Sequence, residues 1–195
     1  MSRPCRRGCC KGRSNPGYKW LICGTGYSGT KWAATVLTKL GFRTEHESPL
    51  TYNGWMSTPV KQTAGVSSAY ALPRHVDDTA QSLLIVRHPA RWYATVTATR
   101  LFAQNSDHMW WIGRHWPDDP VAFWRTYNQT MMGHADQTVT LEEITSDPEH
   151  AAGVFANLVR GRIDPRHVAD VMKDVGVVNT HYEPMREAEE LWATI

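Results

Sequence analysis

The stretch GTGYSGTKW, from Gly24 to Trp32, combines glycines, hydroxyl side chains and one lysine in the manner of a phosphate-binding loop. Glycines allow a tight turn whose backbone N–H groups face an anion, and the N-terminus of a following helix carries about half a positive charge. Ser28 and Thr30 add hydroxyl donors, and Lys31 adds a cation at the same end. The stretch therefore predicts a binding site for a phosphate or sulfate group.

The order of Thr30 and Lys31 separates this loop from that of the nucleoside triphosphatases. In those enzymes the lysine directly follows the last glycine, and the hydroxyl residue after it holds magnesium. Here the threonine comes first, and the second clear apolar strand ends at Arg87 instead of an acidic metal ligand. The pattern predicts no metal, although a P-loop nucleotide kinase or hydrolase stays an alternative.

The elements that position the loop are predicted from apolar runs and periodicity. YKWLICG (18–24) and SLLIVRHP (82–89) are typical of buried strands in a parallel sheet. FRTEHE (42–47) and TVTLEEI (138–144) are predicted as further strands, the first reached by a right-handed β-α-β crossover, whereas GVSSAYAL (65–72) fits either a strand or a helix.

Helices are predicted between these strands. The first follows the loop, with Ala33, Val36 and Leu37 on its buried face and Gly41 after its end. The others are predicted at 90–104, 121–132, 147–161, 165–176 and 183–195. The alternation of strands and helices predicts an α/β fold, three layers with a mostly parallel central sheet.

Length, composition and charge favour one globular domain. The chain has 195 residues, and residues 18–195 are expected to form a single domain behind a flexible basic leader, 1–17. The net charge of +2 includes five Arg and Lys residues among the first 13, so nucleic acid is an unlikely partner for the rest. No apolar run suits a signal peptide or a membrane span, and a cytoplasmic protein is therefore expected.

The loop also resembles a known family. GTGYSGTKW is similar to the 5′-phosphosulfate loop of the sulfotransferases that use 3′-phosphoadenosine 5′-phosphosulfate (PAPS), which typically ends Ser-Gly-Thr-Thr-Trp. The resemblance implies that Gly26, Tyr27, Ser28, Gly29 and the residues after them bind the donor. It also implies that Lys31 occupies a variable position and that Trp32 stacks on the adenine.

A second motif of that family is an arginine at a strand end with a serine eight residues later. Arg87 and Thr95 match it, with threonine keeping the hydroxyl. The resemblance implies that both side chains grip the 3′-phosphate of the donor, and the planar fork of arginine suits phosphate oxygens. Further similar segments extend the likeness from about residue 19 to about residue 179, so it implies a P-loop sulfotransferase fold.

In-line sulfuryl transfer needs positioning, charge stabilisation and a base for the acceptor proton. The predicted catalytic residues are Lys31, which would stabilise charge, and Glu47 as base, with His46 as the second candidate, because both end a strand at the edge where ligands of open α/β folds bind. Adjacent strand residues face opposite sides, so only one of the two is expected to point at the acceptor. Many family members have a basic residue where this chain has Tyr27, and an inactive nucleotide-binding relative is therefore a further alternative.

The acceptor is predicted only as a class. Trp110, Trp111 and Trp116, with His108 and His115, are interpreted either as the wall of a pocket for a carbohydrate or another small molecule or as the packing of a lid. The motifs name no particular acceptor hydroxyl or amine.

Overall fold

The computed structural model describes residues 18–47, 65–98 and 112–176. Its strands are β1 (Leu21–Cys23), β2 (Thr44–His46), β3 (Gly65–Ser68), β4 (Ser82–Val86) and β5 (Gln137–Thr140). They form one sheet in the order β2-β3-β1-β4-β5, and every neighbouring pair is parallel. This confirms the predicted α/β class with a parallel sheet.

Seven helices connect and flank these strands within the described residues. They are α1 (Thr30–Lys39), α2 (Pro73–Asp77), α3 (Pro89–Ala98), α4 (Pro120–Met132), α5 (Leu141–Ser146), α6 (Pro148–Val159) and α7 (Pro165–Val175). Residues 112–115 add one short helical turn before α4. No helix in this part of the chain is long and apolar enough to cross a membrane.

The sheet is covered on both faces, which gives the molecule three layers. Side chains alternate along β1, so Leu21 and Cys23 join the core beneath α2, α3 and α4. Ile22 faces the other way and joins the core beneath α1, α5, α6 and α7. Strands buried on both faces are predominantly apolar, which explains the continuous hydrophobic runs of β1 and β4.

Strand β3 lies in the segment for which the sequence predicts either a strand or a helix, and it is central to the topology. The segment GVSSAYAL contains β3, which pairs with β1 on one side and with β2 on the other. The first crossover therefore leads from β1 through α1 to an edge strand, with β3 inserted between the two. This insertion places the end of β3 next to the end of β1 and the end of β2 one strand further out.

The strand predicted at 138–144 is too long. The structure ends β5 at Thr140, whose hydroxyl accepts the N–H of Glu143 at 3.2 Å, while the Glu143 carboxylate accepts the N–H of Thr140 at 3.0 Å. This reciprocal capping box begins α5 at Leu141, so the capping signal outweighs the strand pattern of the preceding residues.

Other helix boundaries agree with the sequence. Asp147 caps α6 by accepting the N–H groups of Glu149 and His150 at 2.9 and 3.1 Å. Gly41 follows α1 with a positive φ of 90°, which favours glycine. The predicted helix 90–104 is described as far as Ala98, and the leader, the segment 48–64 and the predicted helix 183–195 lie outside the described residues.

Candidate functional site: an anion-binding edge of the sheet

The glycines of the predicted loop are required by close packing at the end of β1. A Cβ atom on Gly24 would lie 2.1 Å from Oγ of Ser28 and 2.6 Å from the carbonyl oxygen of Ile85. Gly29 has a φ of +97°, and a Cβ there would lie 2.4 Å from Cδ1 of Leu141. The loop is therefore a tight strand-to-helix turn that accepts no larger side chain at these two positions.

Two side chains hold the loop from the α3 side of the sheet. Nε1 of the buried Trp92 donates to the carbonyl oxygen of Gly26 at 2.8 Å. A guanidinium nitrogen of Arg87 donates to the carbonyl oxygen of Tyr27 at 3.2 Å. Because the C=O and N–H of a trans peptide point in opposite directions, the N–H of Tyr27 points away from Trp92. No motif in the sequence points to Trp92, because its role depends on contact between distant segments.

The N-terminus of α1 is arranged for a negative charge. The helix begins at Thr30 directly after Gly29, which offers no capping side chain, and its first turn contains no acidic residue. The first backbone N–H groups of a helix have no acceptor within the helix. With the exposed Lys31 beside them, they form the positive end that the sequence predicted.

Two buried hydroxyls of the loop support the presence of a ligand. Thr25 and Ser28 have no exposed surface, yet Oγ1 of Thr25 and Oγ of Ser28 lack a hydrogen-bond partner among the described residues. A buried polar group without a partner costs roughly 1–3 kcal/mol. Anionic oxygens bound at the loop would supply acceptors for these donors, so the residues present fit a phosphosulfate group.

The predicted pair Arg87 and Thr95 is in contact. A guanidinium nitrogen of Arg87 donates to Oγ1 of Thr95 at 2.9 Å, and Thr95 in turn donates to the carbonyl oxygen of Arg91 at 2.9 Å. Burial lowers the pKa of Arg87, while the carboxylate of Glu142 opposes that shift. Glu142, which the sequence reading did not single out, also accepts the N–H of His88 at 3.2 Å.

Trp32 lies in a different environment from the one its predicted role requires. Its side chain is 5% exposed, its ring is tilted against Phe155, and Nε1 donates to the carbonyl oxygen of Gly176 at 3.1 Å. Stacking on an adenine requires an accessible ring face, so a bound base would have to displace part of this packing. Adenine stacking by Trp32 stays a prediction.

His46 and Glu47 come together at the end of β2. Glu47 has a φ of 59°, so it has left the extended strand, and its carboxylate lies 3.6 Å from Nε2 of His46. The expectation that the two side chains face opposite sides is therefore wrong, because strand alternation ends at His46. Nδ1 of His46 lies 2.8 Å from Oγ of Ser67 on β3, a contact that the sequence does not predict because the segment GVSSAYAL fits either a strand or a helix.

The electrostatic environment of this pair includes Lys31 from the phosphate loop. Burial, followed by the charge of Lys31, lowers the pKa of His46 and favours a neutral imidazole. Burial raises the pKa of Glu47, whereas the N–H of Ala69 and the charge of Lys31 oppose this shift. Lys31 therefore links the predicted anion site to both candidate bases.

The aromatic segment before α4 is only partly described. Trp116 packs against the core beneath α3 and α4, and its ring centroid lies 5.0 Å from that of Tyr127. Burial, with the charges of Arg114 and Arg74, lowers the pKa of His115. Residues 108, 110 and 111 lie outside the described part, so an acceptor wall stays a prediction.

No protein-family model matches the chain, and no curated protein matches it either. Solved structures do match. The mouse sulfotransferase SULT7A1 complexed with PAP is 13% identical, with a TM-score of 0.56 over 82% of this chain and 64% of that one. The chain therefore spans less than two thirds of the mouse protein.

Two further structures extend the likeness. The sulfotransferase domain of the Synechococcus PCC 7002 olefin synthase is 15% identical, with a TM-score of 0.53 over 95% of this chain and 90% of that one. Retinol dehydratase in complex with androsterone and the inactive cofactor PAP is 13% identical, with a TM-score of 0.50 over 83% and 64%. These likenesses and the parallel sheet with helices on both faces show that the chain has the sulfotransferase fold.

Proposed function

We propose that the protein transfers a sulfuryl group from PAPS to a hydroxyl or amine of an acceptor. The observation that carries this proposal is the position of Arg87, which contacts Thr95 on one side and the carbonyl of Tyr27 on the other. The two predicted anion sites are thus adjacent. Such a pair suits a nucleotide with a phosphosulfate on its 5′ side and a phosphate on its 3′ side.

Different residues would bind the two anionic ends of the donor and stabilise the charge that develops during transfer. The N–H groups at the start of α1, the hydroxyls of Ser28 and Thr30, and Lys31 would hold the phosphosulfate. Arg87 and Thr95 would hold the 3′-phosphate. When bound, the donor supplies the sulfuryl group and a bisphosphate leaving group.

Proton transfer would take place at the end of β2. Glu47 and His46 are the candidate bases, and the charge of Lys31 acts to lower the pKa of each. One of them would take the acceptor's proton while the acceptor oxygen or nitrogen bonds to sulfur. The bond from sulfur to the 5′-phosphate would break, and its electron pair would remain with the bisphosphate. This arrangement requires no metal in the chemical step.

The acceptor is proposed as a small molecule or a carbohydrate. Trp110 and Trp111 would offer flat faces to a sugar ring or an apolar ring, whereas Trp116 packs against the core. The androsterone in the retinol dehydratase structure belongs to that protein and does not identify the acceptor of this chain.

Tyr27 favours one alternative, an inactive relative that keeps the nucleotide site. Its exposed side chain stands where the resemblance leads us to expect a basic residue. Such a protein would bind the bisphosphate without transferring sulfate.

Calorimetric titration of the full chain with 3′-phosphoadenosine 5′-phosphate and, separately, with ATP, each with and without magnesium, tests the donor site. Magnesium-independent binding that is weakened in Arg87→Lys supports the proposal, and labelled sulfate transfer from PAPS to a panel of small acceptors separates an enzyme from an inactive relative. Binding only to ATP with magnesium, with Arg87→Lys indifferent, would overturn it in favour of a kinase or hydrolase.

A further inference from the structure

His46 lies between a serine and a carboxylate. Its Nδ1 is 2.8 Å from Oγ of Ser67, and its Nε2 is 3.6 Å from Oε1 of Glu47. The register of the parallel strands β2 and β3 pairs His46 with Ser67, so the sheet itself sets the first contact. Ser67 is completely buried and is therefore out of reach of an acceptor.

The backbone of Glu47 turns its carboxylate back toward the histidine. With a φ of 59°, the residue leaves the extended conformation while its N–H still donates to the carbonyl oxygen of Ser67 at 2.8 Å. The N–H of Ala69 donates to the carboxylate and holds it from the other strand. Ser67 thus contacts His46 through its side chain and Glu47 through its backbone.

A neutral imidazole carries one hydrogen, and which nitrogen holds it depends on the two neighbours. The Glu47 carboxylate can only accept, so it favours the hydrogen on Nε2 of His46. The hydroxyl of Ser67 can rotate to donate to Nδ1. The hydrogen bond with Ser67 and the attraction of the nearby Glu47 carboxylate are compatible only when the hydrogen is on Nε2.

We propose that Ser67 is a positioning residue that donates to Nδ1 of His46 and, together with the charge of Glu47, holds the imidazole in the tautomer with hydrogen on Nε2. His46 then orients the Glu47 carboxylate, and Glu47 takes the proton of the acceptor. This assignment rests on the proposed sulfuryl transfer and deepens it. The acceptor's proton moves to Glu47, the acceptor atom bonds to sulfur, and the bisphosphate leaves with the electron pair of the broken bond.

Nitrogen-15 spectra of the histidine-labelled full chain test the tautomer without any acceptor. A His46→Gln variant identifies the signals of the ring. Three serine variants are then compared: Ser67→Ala removes the hydroxyl, Ser67→Thr restores one, and Ser68→Ala is a matched control. Ser68 is the next residue on β3 and is equally buried, and its hydroxyl accepts the N–H of Tyr70 at 2.9 Å.

The proposal expects a protonated Nε2 and an unprotonated Nδ1 on His46, with a mixture of tautomers in Ser67→Ala. It also expects kcat to fall roughly tenfold in Ser67→Ala with little change in KM, and to recover in Ser67→Thr. Ser68→Ala should keep the wild-type tautomer and kcat.

Two results would overturn the proposal. One is a hydrogen on Nδ1 of His46, which would make Nε2 the free base; the other is a Ser67→Ala variant that matches Ser68→Ala in tautomer and kcat. A wild-type protein that binds the bisphosphate but transfers no sulfate would overturn the proposed function instead, and the spectra would still decide the tautomer.

Discussion

The guanidinium of Arg87 donates to the hydroxyl of Thr95 at 2.9 Å, across the junction between β4 and α3. Both side chains are buried. A loop carbonyl, that of Tyr27, accepts a second hydrogen bond from the same guanidinium at 3.2 Å. The strand end, the helix and the glycine-rich loop are therefore joined through one cation.

Replacing Thr95 by valine should weaken bisphosphate binding. The change keeps the volume of the side chain but removes the hydroxyl that would share the 3′-phosphate with Arg87. The loss of one hydrogen bond to a charged group, about 1.5 kcal/mol, corresponds to a dissociation constant roughly tenfold higher. Thr97→Val, on an exposed position of the same helix, should bind as the wild type does in calorimetry. If Thr95→Val and Thr97→Val bind the bisphosphate with equal affinity, Thr95 does not contribute to its binding.

Replacing Tyr27 by lysine should raise the rate of sulfuryl transfer. Tyr27 is exposed on the loop with a φ of 64°, and a lysine in its place would bring a cation toward the transferring group. A charge placed where negative charge develops should increase kcat on the order of tenfold. Tyr27→Phe is the control, because it keeps the ring and should keep the wild-type rate. A kcat for Tyr27→Lys at or below that of Tyr27→Phe would argue against a role for this position in charge stabilisation.

Replacing Glu47 by glutamine should abolish most activity and stabilise the fold at neutral pH. Because burial raises the pKa of Glu47 above the ordinary 4.5, the folded protein holds this proton more tightly than the unfolded chain. The free energy of unfolding therefore decreases as pH rises from about 4.5 through the raised pKa, and glutamine removes that decrease. In the wild type, kcat/KM should fall as pH drops through the same interval because the base becomes protonated.

The control for this prediction is Glu45→Gln on the same strand, which removes an ion pair with Arg43 at 2.8 Å. Denaturant unfolding at several pH values and a pH–rate profile provide the two measurements. If the free energy of unfolding depends on pH in the same way for Glu47→Gln and Glu45→Gln, burial does not raise the pKa of Glu47.

Protonation of His75 should destabilise the protein in mild acid. Burial, with the charges of Arg74 and His115, lowers the pKa of His75 from 6.5 to about 4. The unfolded chain therefore takes up a proton below pH 6.5 while the folded protein does not, so stability decreases as pH falls from 6.5 toward 4. Nδ1 of His75 accepts the N–H of Leu72 at 3.0 Å, and a proton on Nδ1 would break that contact.

The expected loss is on the order of 2 kcal/mol over this interval. His75→Gln keeps an acceptor for the helix cap and should lose this part of the pH dependence in denaturant unfolding. His167→Gln, at an exposed position of α7, should retain it. If the free energy of unfolding depends on pH equally in the wild type, His75→Gln and His167→Gln, the lowered pKa of His75 is refuted.

Some features of the fold follow from consecutive residues. The glycines of GTGYSGTKW predict the turn at Gly24 and Gly29 because no other residue fits there. Asp147 followed by Pro148 predicts the start of α6, and the structure confirms it. The resemblance to the sulfotransferases pairs Arg87 with Thr95, and their contact fits a residue at a strand end followed by one in the second turn of the next helix. The positive φ of Gly29 and the Asp147 cap each depend on one short segment, whereas the close packing around Gly24 and Gly29 also involves the distant residues Ile85 and Leu141.

The end of β5 shows how two local signals compete. The residues around Thr140 suit a strand, yet Thr140 and Glu143 form a capping box that begins a helix at Leu141. Both patterns were visible in the sequence. The capping signal prevails because it satisfies two backbone N–H groups that the helix start would otherwise leave without partners.

The sequence by itself determined the α/β class and the glycine-rich turn between β1 and α1, and its resemblance to the sulfotransferases pointed to the Arg87–Thr95 pair. Only the tertiary structure decided that β3 lies between β1 and β2, that Trp92 holds the loop, and that Ser67, His46 and Glu47 form one connected group. The first set depends on turns, caps and periodicity among neighbouring residues. The second depends on the order of strands in the sheet, which is set by packing between segments that lie far apart in the chain.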